Sequence, residues 1–132
     1  MSEIKTDKLT GVGTAGNITV TSEGGAVTMQ LQQGLLKHWL NLDGTGTIGV
    51  SDSLNCASVT DSGTGDFDPQ FVNNINNTVY SCAGSTASGA GGYAVLAIQS
   101  LTTSDYRLLV SDGGTSQEDS DPVMAHLSGD LA

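Results

Sequence analysis

TIGVS, LNCASVT, DFDPQFV, TVYSCA, GYAVLAIQ, DYRLLVS and PVMAHLS follow one another from Thr47 to Ser128, each too short for a confident helix and each bounded by turn-forming residues. The connectors GTG, DSGTG, NNINN, GSTASGAGG and SDGGTSQEDSD supply glycines that accept positive φ and Asn, Asp and Ser side chains that close turns on their own backbone. Short β-branched and aromatic runs punctuated in this way read as strands. Seven or eight of them imply an all-β fold, a small antiparallel β-sandwich or barrel-like domain. Pro69 cannot donate to a ladder, so DFDPQF is expected to be an edge strand or to start after the proline.

The first part of the chain reads differently. Residues 1–34 contain one convincing strand, NITVT, set between the glycine breaks GVGTAG and EGG with no obvious partner, and they are expected to form an extended N-terminal arm that attaches or links. Residues 35–132 form the β-domain. Between them lies the ambiguous AVTMQLQQGLLKHWLNL. At period 3.6, Val27, Leu31, Leu35 and His38 share a helix face; at period 2, Leu36, His38, Leu40 and Leu42 share one strand face and Leu35, Lys37 and Trp39 the other. A strand is expected over 35–42, with 27–33 open between a short helix and an extended linker. Trp39, the single tryptophan, sits in the densest apolar run and is expected to anchor the core.

Charge narrows the partners. Four Lys and Arg against 14 Asp and Glu, a net charge of −10 in 132 residues, repel phosphate backbones and anionic membrane surfaces, so neither nucleic acid nor membrane insertion is expected. MSEIKTDKLTGVG lacks the apolar core of a secretory signal, which predicts synthesis and assembly in a cytoplasm. Cys56 and Cys82 show no metal spacing and are expected as small buried thiols.

Five patterns invite a chemical reading. GVGTAG matches G-x-G-x-x-G, but it follows a polar segment and precedes a strand, whereas pyrophosphate binding needs a strand before and a helix after. DGTGT lacks the Lys-Ser/Thr ending of a phosphate loop and reads as a turn. Asp43, Asp66, Asp68, Asp112, Glu118, Asp119 and Asp121 offer hard oxygens without the ligand spacing of a calcium loop, so no metal and no cofactor is expected. His38 and His126 lie in apolar runs, with no nucleophile motif near them, and are expected as core or half-buried imidazoles. Asp66 and Asp68 could form a glycosidase pair only with a raised pKa that nothing nearby provides. No catalytic residue is assigned.

The stretch KHWLNLDGTGTIGVSDSLNCASVTDSGTGDFDPQF resembles a module of tailed-bacteriophage virion proteins, chiefly tail-fibre and similar appendages. In that module a tryptophan strand runs into an N-G-T-G-T turn, and an S-F-N-x-S-S-I-T-D strand leads to an N-G-T-G-D turn and an aromatic strand. Trp39, residues 43–47, residues 53–61, residues 62–66 and Phe67 carry the match, with Leu54 where the family has an aromatic and Cys56 where it has an aliphatic. VMAHLSGDLA is similar to the strand and G-D that close the module, and IKTDKLTGVGTAGNITVTSEGG to fibre N-termini; residues 73 to 92 match least. The resemblance implies a virion structural protein, a homotrimer contacting other virion proteins of the tail or capsid, with adhesion to a host-surface glycan or protein. The loop GSTASGAGG, with Ser85, Thr86 and Ser88, is the expected surface contact. The alternatives are a head-decoration or head-fibre protein bound to the capsid, for which 132 residues suits better than for a complete tail fibre, and a polysaccharide-cleaving tip enzyme.

Overall fold

A computed structural model describes residues 3–87 and 93–131, and the chain divides into two compact units, Met1–Leu35 and Leu36–Ala132. The larger unit is a β-sandwich of two antiparallel four-stranded sheets. One has the order β4-β3-β10-β7, from β3 (His38–Asp43), β4 (Gly49–Leu54), β7 (Ser81–Thr86) and β10 (Val123–Ser128). The other has the order β5-β6-β9-β8, from β5 (Cys56–Gly63), β6 (Asp66–Phe71), β8 (Val95–Gln99) and β9 (Arg107–Ser111). Each of the seven apolar runs contributes a strand, and no helix among the described residues is long and apolar enough to cross a membrane.

Alternation fills the space between the sheets. His38, Leu40 and Leu42 on β3 and Val123, Ala125 and Leu127 on β10 point inward against Phe67, Pro69 and Phe71 of β6 and Leu108 and Val110 of β9. Successive strand residues face opposite sides, so these choices turn Trp39, Met124 and His126 outward. Trp39 is therefore not a core anchor. The aromatic centre is instead Phe67, Phe71, Tyr80 and Tyr106 with the His38 imidazole. β6 is also not an edge strand and does not wait for its proline. It runs through Pro69 between β5 and β9, with Tyr106 N–H donating to the Pro69 carbonyl at 3.3 Å, and the missing proline donor removes only the reciprocal bond.

β4 passes into β5 through one residue, Asn55, at φ +58°, which swings the chain from one sheet to the other. Its side-chain amide donates to the Asn73 carbonyl at 3.0 Å and its Oδ1 accepts from Asn73 N–H at 2.7 Å, a two-point clamp across the corner. Ala at position 55 would carry the left-handed backbone penalty and lose both bonds, an expected cost of about 2–4 kcal/mol. Asn55→Gly relieves the backbone part alone and should recover a third to a half of that loss in urea denaturation midpoints. Equal midpoints for the two variants would show that φ contributes nothing.

In the smaller unit, β1 (Thr19–Thr21) pairs antiparallel with β2 (Thr28–Gln30), with the turn closed by Ser22 N–H on Val27 O and by Gly25 at φ +70°. The NITVT strand thus has a partner within the chain, contrary to expectation, because Thr28–Gln30 is extended. Residues 31–34 follow as one 3-10 turn, so the ambiguous 27–33 stretch is part strand and part turn.

Candidate functional site

Directly opposed residues of an antiparallel pair share a face, so the registers assemble the outer surface of the β4-β3-β10-β7 sheet. Leu54, Trp39, His126 and Ala83 form one row across the strands; Asp52, Asn41, Met124 and Ser85 form the next. Trp39, Asn41, Ala83, Ser85, Met124 and His126 of these rows, with Leu36, line an open groove of about 590 Å³. Leu36 and Met124 remain 46% and 38% exposed, so this apolar surface is unburied within the unit. His126, expected to be at least half-buried, is exposed on this face because its neighbours Ala125 and Leu127 take the inward positions.

The expected contact residues separate. Ser85 and Thr86 lie in β7 and not in a loop: Ser85 lines the groove, whereas Thr86 points inward and donates to the Pro122 carbonyl at 3.2 Å. Ser88 lies outside the described residues.

The other candidate groups are occupied by structural work. His38 is fully buried, with Tyr106 Oη 2.8 Å from its Nε2 and the Asn55 carbonyl 3.4 Å from its Nδ1. Burial pushes the His38 pKa down and the Tyr106 pKa up, so the pair is neutral, Nδ1–H donating to Asn55 and the phenol to Nε2. Asp66 is held as a carboxylate by the Arg107 guanidinium, whose Nε donates at 2.7 Å and whose Nη2 engages the second oxygen; that state is the reverse of a general acid. Asp68 accepts from Ser62 at 2.5 Å. Among the loop acids, Asp43, Asp112 and Asp119 bond backbone N–H groups, whereas the buried Glu118 Oε1 has no hydrogen-bond partner among the described residues. Asp43 accepts from Thr45 N–H and Oγ1, Asp112 from Gly114 N–H, and Asp119 from Gly65 N–H across the sandwich edge. No three acidic, His or Cys side chains among the described residues converge on one point. Cys56 and Cys82 are unbridged and half-buried rather than fully buried; burial raises both thiols, Cys82 to about 11, away from the thiolate that reacts.

The His38 environment has a pH signature. Above about pH 6.5, the ordinary histidine value, the imidazole is neutral in folded and unfolded chains alike. Below it the unfolded chain takes up a proton that the folded core resists, so stability falls by up to about 1.4 kcal/mol per pH unit until the lowered folded pKa is reached. The Asp66 contribution begins to be lost only as pH falls to the ordinary carboxylate value and is gone below its lowered folded pKa, so it does not contribute to the slope above about pH 5. Urea midpoints between pH 7.5 and 5 should slope for the native chain and flatten in His38→Gln. Parallel slopes would assign the dependence to other groups.

The groove therefore presents a surface suited to binding, with the strongest perturbed groups of the domain sealed away from it. Comparison with protein-family models, curated proteins and solved structures returns no match for this chain.

Proposed function

We propose that this chain is a structural component of a tailed-bacteriophage particle, a trimeric fibre-type appendage that presents a rigid β-domain for adhesion to the host surface. The observation that carries this reading is the stretch resembling the phage module. Residues 37–71 form the uninterrupted path β3 to β6, in which the two GTG turns and the Asn55 corner build strands of both sheets. A module of this kind works by holding a surface in a fixed orientation, and copy number multiplies weak contacts without new ones. Trimer formation gives exposed apolar side chains such as Val50 and Val95, on the outer strands β4 and β8, a place to be covered.

Two measurements test the proposal. Light scattering of the purified chain at micromolar concentration should give three times the chain mass, with a melting temperature that rises with concentration; a folded monomer overturns the trimer. Immunogold labelling of particles from the producing cells, with an antibody raised against the chain, should decorate tails. Gold confined to heads transfers the protein to capsid decoration, and unlabelled particles overturn the virion assignment.

A further inference from the structure

We propose that Asp112–Gly113 is a site of spontaneous isomerisation, at which the Asp112 carboxyl closes on the Gly113 nitrogen to a succinimide that reopens as isoaspartate, while the fold protects the same dipeptide at Asp43–Gly44. At these two places in the chain Asp or Asn precedes glycine, the residue that hinders the attacking nitrogen least. The inference goes beyond the phage reading and does not depend on it. In the first step Gly113 N gives its proton to solvent and bonds to Asp112 Cγ, and the carboxyl, reacting as the neutral acid, loses its hydroxyl as water. Water then opens the ring. Addition at Cγ restores aspartate, whereas addition at the Asp112 carbonyl carbon breaks the original peptide bond and leaves the chain running through Cβ and Cγ. Water lost and water gained balance, and no oxidant or reductant takes part.

The surroundings of the two dipeptides decide between them. Asp112, Gly113 and Gly114 are exposed and lie just beyond the end of β9 at Ser111. Gly113 N–H donates to no acceptor among the described residues, so its nitrogen can turn onto Cγ without breaking a bond. Asp112 Oδ1 accepts from Gly114 N–H at 2.8 Å. That turn folds the carboxyl back over the Gly113 peptide and puts a donor on the oxygen that becomes negative as the nitrogen adds. Asp43 makes the same turn, with Thr45 N–H 2.9 Å from its Oδ1, but everything around it opposes the reaction. Gly44 is buried and its N–H donates to Ser120 O at 2.9 Å, a bond that attack on Cγ has to break. Asp43 is the last residue of β3, paired with Gly49, and the Phe67 ring and Ser120 carbonyl crowd Gly44, so the peptide between them cannot rotate. The Thr45 hydroxyl and amide also hold the Asp43 carboxyl below its usual range, which makes the reacting neutral acid scarcer.

Cleavage after Lys and Arg separates the two sites, placing Asp43 in residues 38–107 and Asp112 in residues 108–132. The full chain is aged at neutral pH and body temperature in heavy-oxygen water, digested afterwards in ordinary water, and the label is located by fragmentation in a mass spectrometer. Each passage through the succinimide inserts one solvent oxygen, so label should accumulate at Asp112 at least about tenfold faster than at Asp43. The aged 108–132 fragment should also resolve into two chromatographic species, one of which accepts a methyl group from an isoaspartate methyltransferase. In urea, where the fold protects neither site, the two labelling rates should converge to within a fewfold. Asp112→Glu, whose longer side chain has to close a six-membered ring, should abolish both the label at that position and the methyl acceptance of the fragment. The proposal is overturned if Asp112 stays unlabelled in the folded chain while labelling in urea, if Asp43 and Asp112 label equally in the folded chain, or if methyl acceptance persists in Asp112→Glu.

Discussion

Gly65→Ala should be among the most damaging single-methyl additions in this protein, lowering stability by about 3 kcal/mol or more and the melting temperature by upward of about 10 °C. Two effects add. Gly65 has φ +63°, where an L side chain is strained, and a Cβ there would lie 2.5 Å from Val110 O, 2.7 Å from Glu118 O and 2.9 Å from Glu118 N. All three are backbone atoms of the β9 edge and the loop beyond it, so none can swing aside as a side chain would. Gly65 also accepts from Val110 N–H and donates to Asp119, so moving it would break two bonds that hold the turn down. Gly46→Ala is the control. It has nearly the same dihedral, φ +58°, but nothing within 4 Å of its Cβ, and should carry the backbone penalty alone, about 1–2 kcal/mol. Equal melting temperatures for the two variants would show that crowding at Gly65 is relieved by a shift of the loop.

Phe67→Ala should cost about 3–5 kcal/mol, the range for emptying a buried aromatic site. Phe67 is fully buried at the centre of the second sheet, between the Leu40 and Leu42 side of the core and the β9 strand with which it is in register at Leu108. Its ring edge also explains why Gly44 has no side chain, because a Cβ at Gly44 would meet Phe67 Cζ at 2.6 Å and Ser120 O at 2.9 Å. The two sites are therefore coupled. Gly44→Ala should be destabilising in the native background and cost less beside Phe67→Leu, where the ring edge has gone, with a coupling of about 0.5–3 kcal/mol in a double-mutant cycle. Additive changes would mean that the Ser120 carbonyl, not the ring, excludes the methyl group.

The two turns that these variants probe are written identically, GTG at 44–46 and at 63–65. Local chemistry was enough to read both as chain reversals, and Asp43 and Asp61 close them as Asx turns, accepting from Thr45 and Gly63. Which glycine of each triplet is indispensable was not readable, since Gly44 is crowded by a side chain from β6 and Gly65 by backbone from residues more than forty positions away. The same division holds for the groove. Alternation over 35–42 puts Leu36, His38, Leu40 and Leu42 on one face and Leu35, Lys37 and Trp39 on the other, but the strand begins only at His38, so Leu36 lines the outer groove with Trp39 while Lys37 is buried, and nothing local says which set is the inner one. His38 goes inside because Tyr106 and the Asn55 carbonyl meet its ring nitrogens, partners supplied by β9 and by the β4–β5 corner.

By itself, then, the sequence determined the strands, their turns and the all-β class, because those follow from side-chain branching, glycine and Asx chemistry acting over a few residues. Tertiary structure alone decided that Thr28–Gln30 pairs with the isolated N-terminal strand, that Pro69 sits inside a sheet, and that Trp39, Asn41, Ser85, Met124 and His126 share one exposed face. Strand pairing joins segments distant in the chain, and a shift of one residue in register exchanges inside for outside along a whole strand. A period of two reports that a strand has two faces and carries no information about which of them meets the core.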